Sequence, residues 1–109
     1  MIEALPKPIA DYVAASNAHA PDAVAACFAE DAVVFDENRE HSGRTAIRIW
    51  VAEAGRLYRP TLEISGFTQS GETAVLTGRV SGTFPGSPVV LRFIFTLRGE
   101  EIVRLMIEV

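Results

Sequence analysis

The sequence predicts an α+β domain in which three N-terminal helices pack on a curved antiparallel sheet. Two observations carry this expectation. Apolar residues in the first half recur at helical spacing, whereas in the second half they alternate residue by residue. The helices also precede the main run of strands, which points to α+β rather than alternating α/β. The 109 residues make one domain, spanning 1–109. At that size roughly two-thirds of the unfolded surface can be buried.

The elements follow in order. Ile9, Tyr12, Val13 and Ser16 mark one face of a first helix, with Pro8 in its opening turn, where a missing N–H costs nothing. Asn17, His19 and Pro21 break that pattern. Val24, Cys27 and Phe28 mark a short second helix, with Asp22 near its positive end. Ala32-Val-Val-Phe35 is an apolar run of β-formers, hence a strand, and Asp36-Glu-Asn-Arg-Glu reads as a polar turn. Ser42 is a suitable N-cap for a third helix, whose stripe of Ala46/Ile47, Trp50/Val51, Ala54 and Leu57/Tyr58 is the cleanest in the chain. Arg44, Arg48 and Arg56 fall largely on its other side, and Pro60 stops it.

Strands then run from Leu62 to Thr68, Ala74 to Phe84, Val89 to Leu97 and Ile102 to Val109. Ser70-Gly71, Pro85-Gly-Ser-Pro88 and Gly99 supply the turns, so the strands form an antiparallel meander. Ala74, Leu76, Gly78, Val80, Gly82 and Phe84 share one face of their strand; Val103, Leu105, Ile107 and Val109 share one face of theirs. Gly66, Gly78 and Gly82 interrupt strand patterns, where glycine marks a bulge or bend or relieves crowding. A strongly bent sheet leaves a pocket between itself and the helices.

Composition narrows the function. The net charge is −4 and nine of the ten basic residues are arginine, without a basic block, so nucleic acid is not the expected partner. Cys27 is the single cysteine, which excludes an internal disulfide and a multi-thiolate zinc site. Two histidines without a tight acidic cluster predict no metal, and no cofactor-binding pattern is present. No apolar run approaches the roughly 20 residues that span a bilayer. Met1-Ile-Glu-Ala-Leu-Pro6 lacks the form of a secretory leader, so the expected setting is cytoplasmic.

Several residues can do chemistry. Asp36 ends an apolar strand; a carboxylate beside apolar walls has a raised pKa, which suits a general base. Its local pattern alone reads first as a strand-end aspartate starting a turn. Tyr12 lies on an apolar helix face, either as a core tyrosine or as a donor to a developing oxyanion. His41 is a candidate pocket acid or ligand contact, or else a surface histidine. Trp50 and Tyr58 either line a pocket or fill the core. Arg79, Arg92 and Arg104 sit opposite the apolar strand faces and read as solvated.

Three phrases occur in order: Tyr12-Val-Ala-Ala-Ser-Asn17, Phe28-Ala-Glu-Asp-Ala-Val-Val-Phe-Asp36 and Ser42-Gly-Arg-Thr-Ala-Ile47. Together they resemble the N-terminal half of the SnoaL-like, ketosteroid isomerase-like branch of the NTF2-like superfamily. The strand half resembles it in layout but not in motif. The resemblance implies a cone: a curved antiparallel sheet wrapped around helices, with a pocket inside, and a homodimer. Ketosteroid isomerases use an aspartate base with a tyrosine and a protonated aspartic acid as oxyanion donors. Asp36 matches the base and Tyr12 the tyrosine. The second acid falls at or next to Phe93, flanked by Arg92 and Ile94, so that donor is missing. The epoxide-hydrolase variant needs an Asp-Arg-Asp set; the four aspartates, Asp11, Asp22, Asp31 and Asp36, all precede the strand half.

Two functions are therefore expected. In the first, an isomerase-like or cyclase-like enzyme acts on a small apolar carbonyl compound. Asp36 removes a proton beside the carbonyl and Tyr12 supports the enolate, while Phe28, Phe35, His41, Trp50 and Phe93 contact the substrate. In the second, the same cone binds a small apolar ligand, or dimerises, without catalysis; the absent second acid favours it.

Overall fold

The computed structural model describes residues 5–109. The expectation about a leader concerns Met1–Pro6, and most of that segment lies outside the described residues. The elements are α1 (Lys7–Asn17), α2 (Pro21–Ala26), β1 (Phe28–Asp36), β2 (Arg39–Ser42), α3 (Gly43–Tyr58), β3 (Thr61–Ser70), β4 (Thr73–Ser81), β5 (Val89–Arg98) and β6 (Glu101–Glu108). The strands form one open, curved sheet in the order β2-β1-β6-β5-β4-β3. The α+β class and the three helices are as expected. The sheet is mixed rather than antiparallel, because β1 pairs parallel to β6.

Local differences from the expected elements have physical causes. The second helix stops at Ala26, and Phe28 opens β1 instead of closing that helix. The last strand captures the chain there: Ile102 N–H donates to Cys27 O at 3.0 Å, and Phe28 pairs with Ile102. β1 is consequently nine residues long, with a register shift between Phe28 and Val33 that turns Phe28, Ala29, Ala32 and Val34 all inward. β2 stands where a polar turn was expected. The turn itself is only Glu37-Asn38, both at positive φ (53° and 63°), the form that suits the right-handed twist of a tight hairpin. Ser42 precedes α3 but does not cap it; its hydroxyl donates to Glu40 Oε2 at 3.0 Å.

The inner face of the sheet is read from the register. Ala74, Phe95, Leu105 and Val34 lie in one row across β4, β5, β6 and β1, and all are fully buried. Leu76 and Phe93 follow in the next row, opposite Ile107. On β6 the expected alternation breaks. Thr96 pairs with Arg104 and Leu97 with Ile102, so Val103 is an extra residue. Ile102 and Leu105 thus both face inward, and Val109 is 90% exposed. On β4 the inward set ends earlier than expected: Gly82 and Phe84 lie beyond Ser81, where the strand stops.

Two glycines show why the sheet bends where it does. Gly66 follows a register shift on β3, where Ser65 is the extra residue. Gly78 is buried against Leu62, whose side chain occupies the space a Cβ needs.

The helices close the inner face. Ile9, Tyr12 and Ala15 from α1, Val24 from α2 and Ile47 from α3 join the strand residues in one core. Asn17, read from sequence only as a helix breaker, clasps the edge strand. Its Nδ2 donates to Leu62 O at 3.0 Å, and Leu62 N–H donates to its Oδ1 at 2.8 Å. Arg44 was placed on the outer side of its helix, yet its Nε donates to Phe28 O at 2.8 Å and ties α3 to β1. Among the described residues, no helix is long and apolar enough to cross a membrane.

Candidate active site

Strand alternation aims Asp36. Val34 faces inward with no exposure, so Asp36, two residues on, faces the same side, and Phe35 between them faces out. His41 is opposite Val34 in the β1–β2 hairpin and shares that inner side. From α3, the Trp50 indole Nε1–H donates to Asp36 Oδ2 at 3.1 Å. The His41 ring stacks on the indole, with centroids 5.6 Å apart and planes at 30°. A strand end, a hairpin and a helix thus converge on one carboxylate.

Burial is the main cause that pushes the Asp36 carboxyl above the usual carboxylate range, and the charge of Glu37 adds to it. The Trp50 hydrogen bond, His41 and a backbone hydrogen bond from Glu37 pull the other way without cancelling it. Asp36 makes no ion pair among the described residues, and its register partner Arg39 is exposed.

Tyr12 enters from α1 and is 4% exposed. Its ring meets Phe95 at 5.4 Å and Phe28 at 6.0 Å, both edge-on, and Phe93 at 6.5 Å in a tilted contact. These contacts hold the ring, yet among the described residues nothing hydrogen-bonds the hydroxyl. Burial first, and the nearby charge of Asp36 second, raise its pKa, so Tyr12 stays a proton donor across the ordinary pH range.

Tyr12, Asp36, His41, Trp50 and Phe93 therefore come to one side of the sheet. Phe28 belongs to the packing beneath Tyr12, with no exposure of its own. Phe35 does not join them. It lies on the outer face with the Arg104 guanidinium 4.9 Å above its ring, because a one-residue step along a strand reverses the side. What the sequence missed is the role of Trp50. A donor-only aromatic on the inner stripe of α3, facing a strand that ends in a carboxylate, was the available signal.

Other features lie away from this cluster. Arg79, Arg92 and Arg104 are exposed, and Arg92 pairs with Glu108 at 2.9 Å. Cys27 is buried, and burial pushes its thiol up. An open groove of about 600 Å³ lies between α1 and α2, lined by Lys7, Asp11, Ala14, Ala23, Cys27 and Glu100 among others; Tyr12, Asp36 and Trp50 do not line it. Among the described residues, no group of three or more His, Cys, Asp and Glu side chains is placed to hold a metal.

A curved sheet over three helices, with a tyrosine and an aspartate on its inner side, defines a class that the relatives specify. The chain belongs to the SnoaL-like domain family, whose pattern matches residues 9–105. It is similar to a proposed polyketide cyclase of Sinorhizobium meliloti, with 38% identity and a TM-score of 0.92 over 95% of each chain. It is also similar to a Catenulispora acidiphila protein with a ketosteroid isomerase-like fold, solved in complex with trimethylamine. That match has 21% identity and a TM-score of 0.87 over 97% of this chain and 87% of the other. A proposed polyketide cyclase of Pseudomonas putida is 22% identical, with a TM-score of 0.79 over 95% of this chain and 90% of that one. No curated protein is similar enough to count as a relative. The fold is that of the NTF2-like superfamily, as the three phrases of the N-terminal half imply.

Proposed function

We propose that this protein is an isomerase-type or cyclase-type enzyme acting on a small apolar carbonyl compound. One observation carries the reading: an inward carboxylate of raised pKa lies within electrostatic reach of a tyrosine hydroxyl that no described residue engages. Asp36 in its ionised form takes a proton from the carbon next to the carbonyl. The electron pair of that C–H bond moves toward the carbonyl oxygen, where the Tyr12 hydroxyl donates a hydrogen bond to the enolate. Collapse with return of the proton to another carbon gives isomerisation. Attack of the enolate carbon on a second carbonyl of the same molecule gives ring closure, and Asp36 gives its proton to the new alkoxide. Phe93 and Trp50 supply apolar surface against the substrate.

The test is double-bond isomerisation of a β,γ-unsaturated ketosteroid by the purified protein. Turnover above the buffer rate supports the proposal, and its absence removes that substrate class.

A second reading, a non-catalytic binder of small apolar ligands, is favoured by Phe93. It is 4% exposed and packs against Tyr12, at or next to the place that the resemblance gives to the second acid of ketosteroid isomerases. One oxyanion donor in place of two lowers rates by about two to three orders of magnitude. The binder reading expects an apolar ligand to shift the Asp36 titration without turnover of any carbonyl probe.

We also propose that the protein forms a homodimer through the outer face of its sheet. Val75, Ile94, Met106 and Phe35 form a half-buried apolar row there, on the side away from the helices. Sedimentation should give twice the 11.8 kDa chain mass. A clean monomer at micromolar concentration refutes the dimer and leaves the site chemistry untouched.

A further inference from the structure

We propose that Trp50 is the positioning residue of the site: its indole N–H pins Oδ2 of Asp36 and leaves Oδ1 as the atom that takes the proton. This rests on the reading of Asp36 as the base.

The argument starts from the freedom of the aspartate side chain. Its terminal torsion is broad and roughly two-fold, so an unanchored carboxylate swings and exchanges its oxygens. A base must hold one oxygen on the line of the breaking C–H bond, and a displacement of 1 Å can cost about a hundredfold in rate. Asp36 sits at the last position of β1, next to a two-residue turn, and the Glu37 backbone gives its carboxylate one hydrogen bond. The Trp50 contact supplies the side-chain anchor. The indole N–H can only donate, and Asp36 Oδ2 at 3.1 Å is its acceptor.

The anchor is itself fixed. Trp50 lies on α3, whose start is tied to β1 by the Arg44 bond to Phe28 O. The His41 ring lies against the indole and limits its tilt. Because the N–H is engaged by Asp36, it is not a second oxyanion donor standing in for the missing acid. Trp50 is thus more than an apolar wall, and its loss alters the base and not only the fit of the substrate.

The groups that bear on Asp36 are Tyr12 on α1, Glu37 in the hairpin turn and His41 on β2, whose exposed Arg39 is only its register partner; Trp50 is the partner from α3. Of these, Trp50 gives the one side-chain hydrogen bond to the carboxylate among the described residues. A donor bonds the ionised carboxylate more strongly than the neutral acid. Removing it therefore moves the Asp36 titration upward.

The experiment is a carbon-detected NMR titration of the Asp36 carboxyl in wild type and Trp50→Phe. A second variant carries β-(3-benzothienyl)alanine at position 50, which keeps the bicyclic shape and lacks the N–H. The proposal expects the Asp36 midpoint to rise by about one unit in both variants, the size of a lost charge-assisted hydrogen bond. Where ketosteroid turnover is present, kcat falls about tenfold and KM stays within about twofold. An unchanged or lower midpoint in the benzothienyl variant overturns the anchoring role. So does a KM rise with unchanged kcat, the mark of an apolar wall. The titration needs no substrate. A protein without ketosteroid turnover but with the upward shift loses that substrate class and keeps the Trp50 anchor.

Discussion

An Asp36→Asn variant should isomerise a β,γ-unsaturated ketosteroid about a thousandfold more slowly than wild type, within the range that a positioned general base supplies. Asparagine keeps a side-chain oxygen that can accept from Trp50 Nε1, so the shape of the site survives. What is lost is the basic electron pair. The fold should be as stable at neutral pH or more so, and the sign follows from the raised pKa. A carboxyl whose folded pKa exceeds its unfolded value contributes stability that is fully present below the unfolded value. That contribution is lost as pH rises through the folded value. At neutral pH the ionised Asp36 is a burden on the fold, and the neutral amide relieves it. Parallel kcat/KM and thermal-unfolding measurements check both halves: a large fall in rate with an equal or higher Tm.

The second large effect is expected at Tyr12. Tyr12→Phe removes one hydroxyl and keeps the ring that packs on Phe28, Phe93 and Phe95. Loss of a single oxyanion donor lowers kcat by about 10²–10³. Phe93 supplies no second donor, so nothing nearby compensates. Stability should change little, because the hydroxyl has no hydrogen-bond partner among the described residues whose loss would leave an unpaired group. A fall in kcat with KM within a few-fold is the expected pattern, since the bond strengthens as charge develops on the oxygen. A Tyr12→Phe protein as active as wild type would remove the hydroxyl from the mechanism.

Much of the architecture was legible because the patterns that carry it are local. The stripe that includes Ile47 and Trp50 gave α3, and the alternation through Phe93, Phe95 and Leu97 gave the inward face of β5. The failures came where distant segments decide. Nothing near Phe28 announces that Ile102 will pair with it and convert a helix end into a strand. The parallel pairing of β1 with β6 is likewise invisible in either segment. The bulge at Val103 brought Ile102 inward beside Leu105 and took Val103 out of the alternation, which the pattern cannot foresee. Asp36 and Tyr12 were singled out by residue type within recognisable phrases, and both lie on the inner side of the sheet. Phe35 was misplaced because an aromatic neighbour in sequence is on the opposite side of a strand. The Trp50 bond spans 14 residues and two elements, so it became visible only once α3 lay against β1.

The central claim is that the ionised Asp36 carboxylate is the base. Its most direct test is the pH dependence of kcat/KM for ketosteroid isomerisation, with Asp36→Asn measured beside wild type. The raised pKa of Asp36 predicts a wild-type rate that falls on the acid side, with a midpoint above the ordinary aspartate value of about 4. On the basic side the rate should hold, because Tyr12 keeps its proton. The variant should be slow and show no such acid limb. A wild-type profile that is flat through the acid range, or a variant that keeps the same limb and rate, would contradict the assignment of Asp36.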